Sequence, residues 1–380
     1  MAMLLEERAH NFCGGKGALP NQAVQAFADQ GKIIGPDLTP LLSPASLDLP
    51  LSEERYRVDG LTYPRKGQPV RELLKDLNAR PVDPDAPMER GVAYVIRSQF
   101  SLDFRGLPDI YGYANPRSNT GRDGIAARLL ADGVPNFNGI GDVGYHGELW
   151  VTVIPNSFPV IVGVGDSLNQ LRLFNSKTLF NEPEYRREFD ERVPLAYLPD
   201  GTPLAFADMK PPLGEHLLLT LDLGQDVVGY ECRGTNEVLD RRKGKGAYTE
   251  FVSHFFTPIE RPKKMLHIRN GSLYILATYE YSVVPPWTAG ELVRIDEKYG
   301  DQQTHDAGFI DPYWGTKTGT GRPITLEIRP FGTDLYLWHR MPIGCIRYEM
   351  MTRIPSIDYD KKEDSDFTEQ RGAKLSKFFS

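Results

Sequence analysis

At 380 residues and 40% hydrophobic content, the chain has the length for two domains of ordinary size and the composition of a globular protein with real cores. A formal charge of −7 disfavours a general nucleic-acid coat, yet a local cluster of Arg and Lys could still receive a small anionic ligand. No apolar run approaches a membrane span, and the start MAMLLEERAH lacks the basic-then-apolar build of a signal peptide, so no membrane partner and a cytoplasmic location are expected. Cys13, Cys232 and Cys345 stand alone and odd in number, which supports neither a disulfide framework nor a thiolate zinc cluster.

In chain order, Asn21 to Gln30 reads as a short amphipathic helix stopped by Gly31, and Val70 to Asn78 as a second. Most other segments read as short strands. Val92–Arg97, Leu149–Ile154, Phe158–Gly163 and Leu171–Phe174 are β-branched and aromatic, bounded by Gly, Pro and Asn. The 30 prolines and 36 glycines fit many turns rather than long helices. Residues 176–212 are charged and proline-rich and read as a connector with little core of its own. The stretch Ile357 to Ser380 reads as a polar, mobile arm with few apolar anchors before Phe378 and Phe379.

The chain also matches itself. Gly91-Val-Ala-Tyr-Val-Ile96 pairs with Gly271-Ser-Leu-Tyr-Ile-Leu276 at an offset of 180 residues. Leu107-Pro-Asp-Ile-Tyr-Gly112 then pairs with Pro285-Pro-Trp-Thr-Ala-Gly290, and Gly141–Gly147 with Ile310–Gly315, each of the last two leading into an apolar strand. Two copies of one β-fold is the economical reading. It divides the chain into an N-terminal domain over 1–175, the connector, and a C-terminal domain over 213–380.

Several local patterns carry no chemistry. His146-Gly-Glu148 fits half of a zinc deaminase site, but the Pro-Cys-x-x-Cys that completes it is missing, so no zinc is expected. Gly14–Gly17 and Lys243–Gly246 lack the spacing and preceding strand of a phosphate loop. Arg117-Ser-Asn-Thr-Gly-Arg122 is more informative. Two arginines flank hydroxyl and amide groups, a compact set for pairing phosphate oxygens bidentately, though the same residues also suit a solvated turn.

Five blocks in order, Pro44-Ala-Ser-Leu-Asp-Leu49, Arg117–Arg122, Ile310-Asp-Pro-Tyr-Trp-Gly315, Thr325-Leu-Glu327 and Phe367-Thr-Glu-Gln-Arg-Gly372, resemble those of dCTP deaminases, members of the trimeric dUTPase superfamily. Length and duplication resemble the two-domain bacterial type. The resemblance implies an all-β chain of two tandem distorted jelly-roll β-barrels of dUTPase type, with a few short helices. In single-domain relatives the Arg-Ser-Ser-x-x-Arg loop and the catalytic Glu come from neighbouring subunits. Here the loop is intact only in the first half, with Asn119 at the second Ser. The second half has Arg294-Ile-Asp-Glu-Lys298 instead. Conversely, Thr152 stands where the family has its Glu, and the second half keeps Glu327. Each copy has lost what the other retains, as expected when a subunit interface becomes an interdomain one.

The implied reaction is hydrolysis of dCTP to dUTP and ammonia without a catalytic zinc. Glu327 would take a proton from water attacking cytosine C4, which needs a carboxylate pKa raised towards neutrality by desolvation. Ser118 and Arg122 would hold the water and amino group, and Arg117 would face phosphate beside Asn119. Asp311 would accept the 3′-hydroxyl, Trp314 would pack on the sugar, and the hairpin Asp306-Ala307-Gly308 would read the base edge. Gln370 would close over the triphosphate, with Phe367 where the family usually has Tyr. Mg²⁺ would travel on the triphosphate. Expected partners are dCTP and dUTP, dTTP as a feedback inhibitor, and further copies of the chain in a homo-oligomer, with no nucleic acid. Two rival readings are a dUTP diphosphatase, alone or after deamination, and a non-catalytic nucleotide-binding regulator. The Thr316–Pro323 stretch, which separates Asp311 from Glu327, reads as a lengthened hairpin loop.

Overall fold

The computed structural model describes residues 13–107, 109–141, 144–209, 216–299, 302–303, 308–361 and 370–379. Its two compact units do not follow the chain's midpoint. Residues 19–176 form the N-terminal unit with two later segments, 234–251 and 376–379; the C-terminal unit combines 13–18 with 177–233 and 252–375.

The N-terminal unit is built on strands β1 (Ser46–Val58), β2 (Ala93–Asp103), β3 (Tyr111–Pro116), β4 (Ile125–Ala131), β5 (His146–Pro155) and β6 (Ser167–Phe174). They run in the order β3-β6-β1-β2-β5-β4, and the outer strands β3 and β4 lie against each other, so the sheet curls almost into a barrel. The 13-residue β1 makes the bend: Leu47–Pro50 pair with β6, Leu51–Val58 pair with β2, and the register shifts between Leu51 and Arg55. Covered on both faces, Ser46–Leu51 is buried at every position. Helix α1 (Asn21–Asp29) and helix α2 (Val70–Asp76) both start after a proline, as the missing N–H permits. Val70, Leu73 and Leu74 of α2 fall on one face and join Val95, Leu130 and Trp150 in a core cluster. Each such side chain contributes roughly 1.5–3 kcal/mol by leaving water. The strand expected over Phe158–Gly163 is confined to Val160–Ile161, which pairs in parallel with Leu239–Asp240.

The C-terminal unit is built on two larger sheets, with two short two-stranded ones beside them among the described residues. Strands β7 (Leu217–Thr220), β11 (Thr288–Val293), β12 (Phe309–Ile310) and β14 (Pro342–Met350) run in the order β7-β14-β11-β12. Strands β8 (Val227–Cys232), β9 (Phe256–Glu260), β10 (Tyr274–Ala277) and β13 (Thr325–Pro330) run β9-β8-β10-β13. Leu219, Leu276, Leu326, Ile328 and Tyr348 lie in their common core. The stretch read as a connector adds Phe180, Tyr185, Leu195, Phe206 and Met209 to that core. Its charged residues occupy the outer turns of a helix, Glu182–Arg187, closed by an Asn181–Glu184 capping box, which is why polarity alone hid the buried face.

The repeat is visible in the hydrogen bonding. Tyr94 and Tyr274 occupy matching places in β2 and β10, and each hydroxyl accepts the backbone N–H five residues earlier, from Glu89 at 2.9 Å and from Arg269 at 2.8 Å. Gly91 and Gly271 turn before them with φ of 74° and 78°, a region that favours glycine. The all-β reading of two barrel-type copies therefore describes the fold.

Candidate active site

The turn Ser118–Arg122, one helical turn called α3 here, connects β3 to β4 at the seam where the sheet nearly closes. Arg117 is extended (φ −72°, ψ 152°) after Pro116 and donates its N–H to Leu168 at 2.9 Å, which ties the turn's entry to β6. Its guanidinium, about a third exposed, reaches Asp48 of β1 at 3.2 Å. Ser118 is half-buried, whereas Asn119, Thr120 and Arg122 are buried. The Asn119 side-chain oxygen accepts the Lys377 N–H at 2.9 Å. Thr120 Oγ1, Ser167 Oγ and Asn169 Oδ1 are buried and have no hydrogen-bond partner among the described residues. Such groups cost about 1–3 kcal/mol each and commonly mark places filled by water or ligand.

Behind the turn lies a charge cluster that no local motif announces. Asp123, fully buried, accepts hydrogen bonds from the Ser376 hydroxyl and from Arg241 Nη1. Arg241 Nε reaches Asp166 at 2.7 Å, and its guanidinium lies 4.7 Å from the centre of the Phe378 ring. Burial pushes the Asp123 carboxyl up to about 6, against the lowering pull of Arg241 and Ser376. Asp166, with its side chain 23% exposed, also feels burial, but the charge and hydrogen bonds of Arg241 outweigh it and hold this carboxyl below the usual range.

In the C-terminal unit, Glu327 sits in β13 at 2% exposure, opposite Ile275 of β10. Thr152 sits in β5 opposite Val95 of β2, and Val95 and Ile275 are again 180 residues apart. The two residues therefore hold equivalent places in the two copies. Thr152, 1% exposed, gives its hydroxyl to the Arg128 carbonyl at 3.3 Å, a packing role that needs no acid.

The Asp311–Ile324 stretch is not the lengthened hairpin its turn-rich sequence suggests. Strand β12 before it belongs to one sheet and β13 after it to the other, so the stretch crosses between sheets. A Thr hydroxyl and Gly carbonyls serve the crossing: Thr318 Oγ1 donates to either Gly315 O at 3.0 Å or Gly321 O at 2.9 Å. Gly315 (φ 73°) must be glycine, because a Cβ there would meet Ser282 O at 2.6 Å. Asp311 and Trp314 are buried within this turn, and the Trp314 indole N–H has no partner among the described residues. Arg322, 1% exposed, lies 5.5 Å from the Trp314 ring centre and 2.8 Å from Asp360, off the direction of a hydrogen bond. Gln370, also buried, donates to Pro323 O at 2.9 Å. Leu292 N–H bonds Gly308 O at 2.7 Å.

The structure thus brings Arg117, Ser118, Asn119 and Arg122 together in one unit, and Gly308, Asp311, Trp314, Glu327 and Gln370 into the other. Asp306, Ala307 and Phe367 lie outside the described residues. Of the segment read as a mobile arm, the described residues are packed, with Asp360, Gln370, Leu375, Phe378 and Phe379 buried. Asp48, Asp123, Asp166, Arg241 and Ser376 were not singled out as site residues by the sequence. Only Asp48 stood within a quoted block; the others are joined across separations of 75 to 253 residues that leave no pattern.

Two family models match. One, described as the 2′-deoxycytidine 5′-triphosphate deaminase N-terminal domain, covers residues 15–177; the other, the C-terminal domain of the same enzyme, covers 194–379. Among curated protein sequences no match is found. Among solved structures, the crystal structure of 2′-deoxycytidine 5′-triphosphate deaminase from Agrobacterium tumefaciens is similar, with a TM-score of 0.79 and 30% identity over 90% of this chain and 100% of that one. With both halves matched and a solved relative along nearly the whole length, the chain belongs to the 2′-deoxycytidine 5′-triphosphate deaminase family.

Proposed function

We propose that this protein hydrolyses dCTP to dUTP and ammonia, with Glu327 as the proton-transferring acid and base. The observation that carries the reading is the fate of one strand position in the two copies. Thr152 is committed to a backbone carbonyl, while its counterpart is the buried carboxylate Glu327. Water adds to C4 of the cytosine ring as Glu327 accepts its proton. Glu327 delivers that proton to N3, then carries the second proton from the C4 hydroxyl to the amino nitrogen, so that the C4–N4 bond breaks as the C4 carbonyl forms and ammonia departs. Acid–base assistance of this kind contributes about 10² to 10⁴-fold, so orientation must supply much of the remaining acceleration.

Ser118 and Arg122 hold the water and the amino group in this scheme, and Arg117 takes phosphate oxygens in exchange for Asp48. Asn119, whose side-chain oxygen accepts the Lys377 N–H, stands beside Arg117 on the phosphate side of the substrate. Asp311 takes the 3′-hydroxyl, and Trp314 bars a 2′-hydroxyl. Gly308, with Asp306 and Ala307, reads the base, while Gln370 and Phe367 cover the triphosphate. Mg²⁺ arrives with the triphosphate as part of the substrate in this scheme.

Assaying ammonia and pyrophosphate from dCTP and from dUTP, each with Mg²⁺, tests the reading. Ammonia from dCTP without pyrophosphate is expected; pyrophosphate from dUTP alone would make the protein a diphosphatase, and binding without either product a regulator. Arg117→Ala should weaken affinity for dCTP at least about tenfold more than affinity for deoxycytidine, as loss of a charge-assisted phosphate contact requires. Equal weakening, read by calorimetry, removes Arg117 from the phosphate. Ser118→Ala should lower kcat with KM held within a few-fold, since a group that orients the reacting water acts mainly in the transition state.

A further inference from the structure

The Asp123 cluster lies outside the roles assigned so far, yet it adjoins the turn that bears Ser118 and Arg122. The Asp123 carboxylate accepts hydrogen bonds from two segments distant in sequence. Arg241 and Ser376 converge on Asp123, and the next residue, Lys377, gives its N–H to Asn119 inside the turn. The two segments also hold each other: Gly246 and Tyr248 donate N–H groups to Lys377 O and Phe378 O at 2.9 and 2.8 Å, and the Tyr248 and Phe379 rings lie 5.9 Å apart. Phe378 and Phe379 are buried and Arg241 is stacked on Phe378, so this is a packed anchor.

A turn of five residues has little rigidity of its own, because a single helical turn fixes many dihedrals for few hydrogen bonds. Its two ends are held differently. Arg117 N–H is tied to β6 at the entry, while at the exit, besides the Asn156 N–H on Gly124 O, the side chains of Asp123 and Asn119 are held by Arg241, Ser376 and Lys377. We propose that Arg241, Ser376 and the Lys377 amide act through Asp123 and Asn119 as positioning groups that set the Ser118–Arg122 turn for the deamination, a role that rests on the reaction proposed above. The groups facing Asp123 are Arg241 from 241–243, Ser376 from the C-terminal segment, and Asp166 from the residue before β6. Ionised Asp123 is the form that can accept from both Arg241 and Ser376. Its carboxyl, pushed up to about 6, makes the anchor sensitive to mild acid.

The test compares the wild-type full-length protein with Ser376→Ala, Asp123→Asn and a deletion of 376–380, using dCTP and Mg²⁺ across pH 5 to 8.5 with melting temperatures alongside. Ser376→Ala should lower kcat/KM roughly 10- to 100-fold, as small misplacements of orienting groups do, with the fold retained. It should also move the acid limb of the wild-type profile, near pH 6, to higher pH, because the lost hydroxyl favoured the charged form. Asp123→Asn should abolish that limb, and the deletion should reproduce or exceed the Ser376→Ala loss. An active wild type with unchanged kcat/KM and an unmoved limb in Ser376→Ala overturns the positioning role, as does a loss that merely follows the melting temperature. A wild type that releases no ammonia from dCTP overturns the reaction itself, and the role with it.

Discussion

Glu327→Gln is expected to lower kcat for ammonia release from dCTP by about 10² to 10⁴-fold while the affinity for dCTP changes only a few-fold. The substitution keeps the size and planarity of a side chain that is 2% exposed in β13, so packing against its neighbours persists and the melting temperature should hold. What it removes is the capacity to take a proton from water and return it. Binding energy comes from other groups, Arg117 and Asp311 among them, which is why calorimetric affinity and turnover should separate. Retained turnover in this variant would falsify the assignment of Glu327. Introducing Thr152→Glu beside it should not restore activity, because the N-terminal copy places that position under the Arg128 carbonyl and an added carboxylate would be buried against it.

Arg241→Met should be the most destabilising single change. It leaves Asp123 and Asp166 buried or part-buried without their shared cation, and breaking such a pair by removing one partner costs about 3–5 kcal/mol. At about 2–4 °C per kcal/mol for a unit of this size, the melting temperature should fall by roughly 6–20 °C. The sign of the pH dependence follows from the two carboxyls. In the native protein Asp123 has a folded pKa raised from 3.8 to about 6, so its contribution is fullest below the unfolded value and is lost as pH rises through about 6. Asp166, held low, contributes above its unfolded value and loses that as pH falls. Without Arg241 both carboxyls are driven upward and both resist ionisation. The melting deficit of Arg241→Met relative to wild type should therefore be largest at pH 7–8 and shrink towards pH 5. A deficit that stays constant across this range would mean that packing against Phe378, not charge, is what Arg241 supplies.

The duplication could be read in advance because it rests on local chemistry. Gly91 and Gly271 turn, three residues later Tyr94 and Tyr274 cap the turn with their hydroxyls, and apolar strand residues follow. Each step is a short-range preference that leaves its mark in the letters. The equivalence of Thr152 and Glu327 was implied by the family resemblance, and the strand registers opposite Val95 and Ile275 agree with it. The Asp311–Ile324 crossing could not be read, because Thr, Gly and Pro signal a turn whether the chain reverses into its own sheet or passes to another. The burial of Tyr185 was hidden for a related reason: a helix of six residues shows less than two turns of periodicity, too few to reveal an apolar face among Glu and Arg. Arg241 was the least legible of all. A buried cation is defined by its partners, and nothing near position 241 mentions Asp123 or Ser376.

The assignment of 234–251 and 376–379 to the unit formed by 19–176 bears on biosynthesis. Translation delivers residues at about 5–20 per second, so the 200 residues separating Ser176 from Ser376 take on the order of 10–40 s. For the first part of that interval, until Arg241 is made, the nascent barrel has its strands but not its counter-ion, and Asp123 and Asp166 repel each other in an unfinished interior. Val160–Ile161 lacks its parallel neighbour, Leu239–Asp240, for part of the same time. Maturation of the Arg117–Arg122 turn thus waits on sequence made long after it, and a ribosome that stalls before residue 376 releases a product with an intact-looking N-terminal half and no properly seated loop.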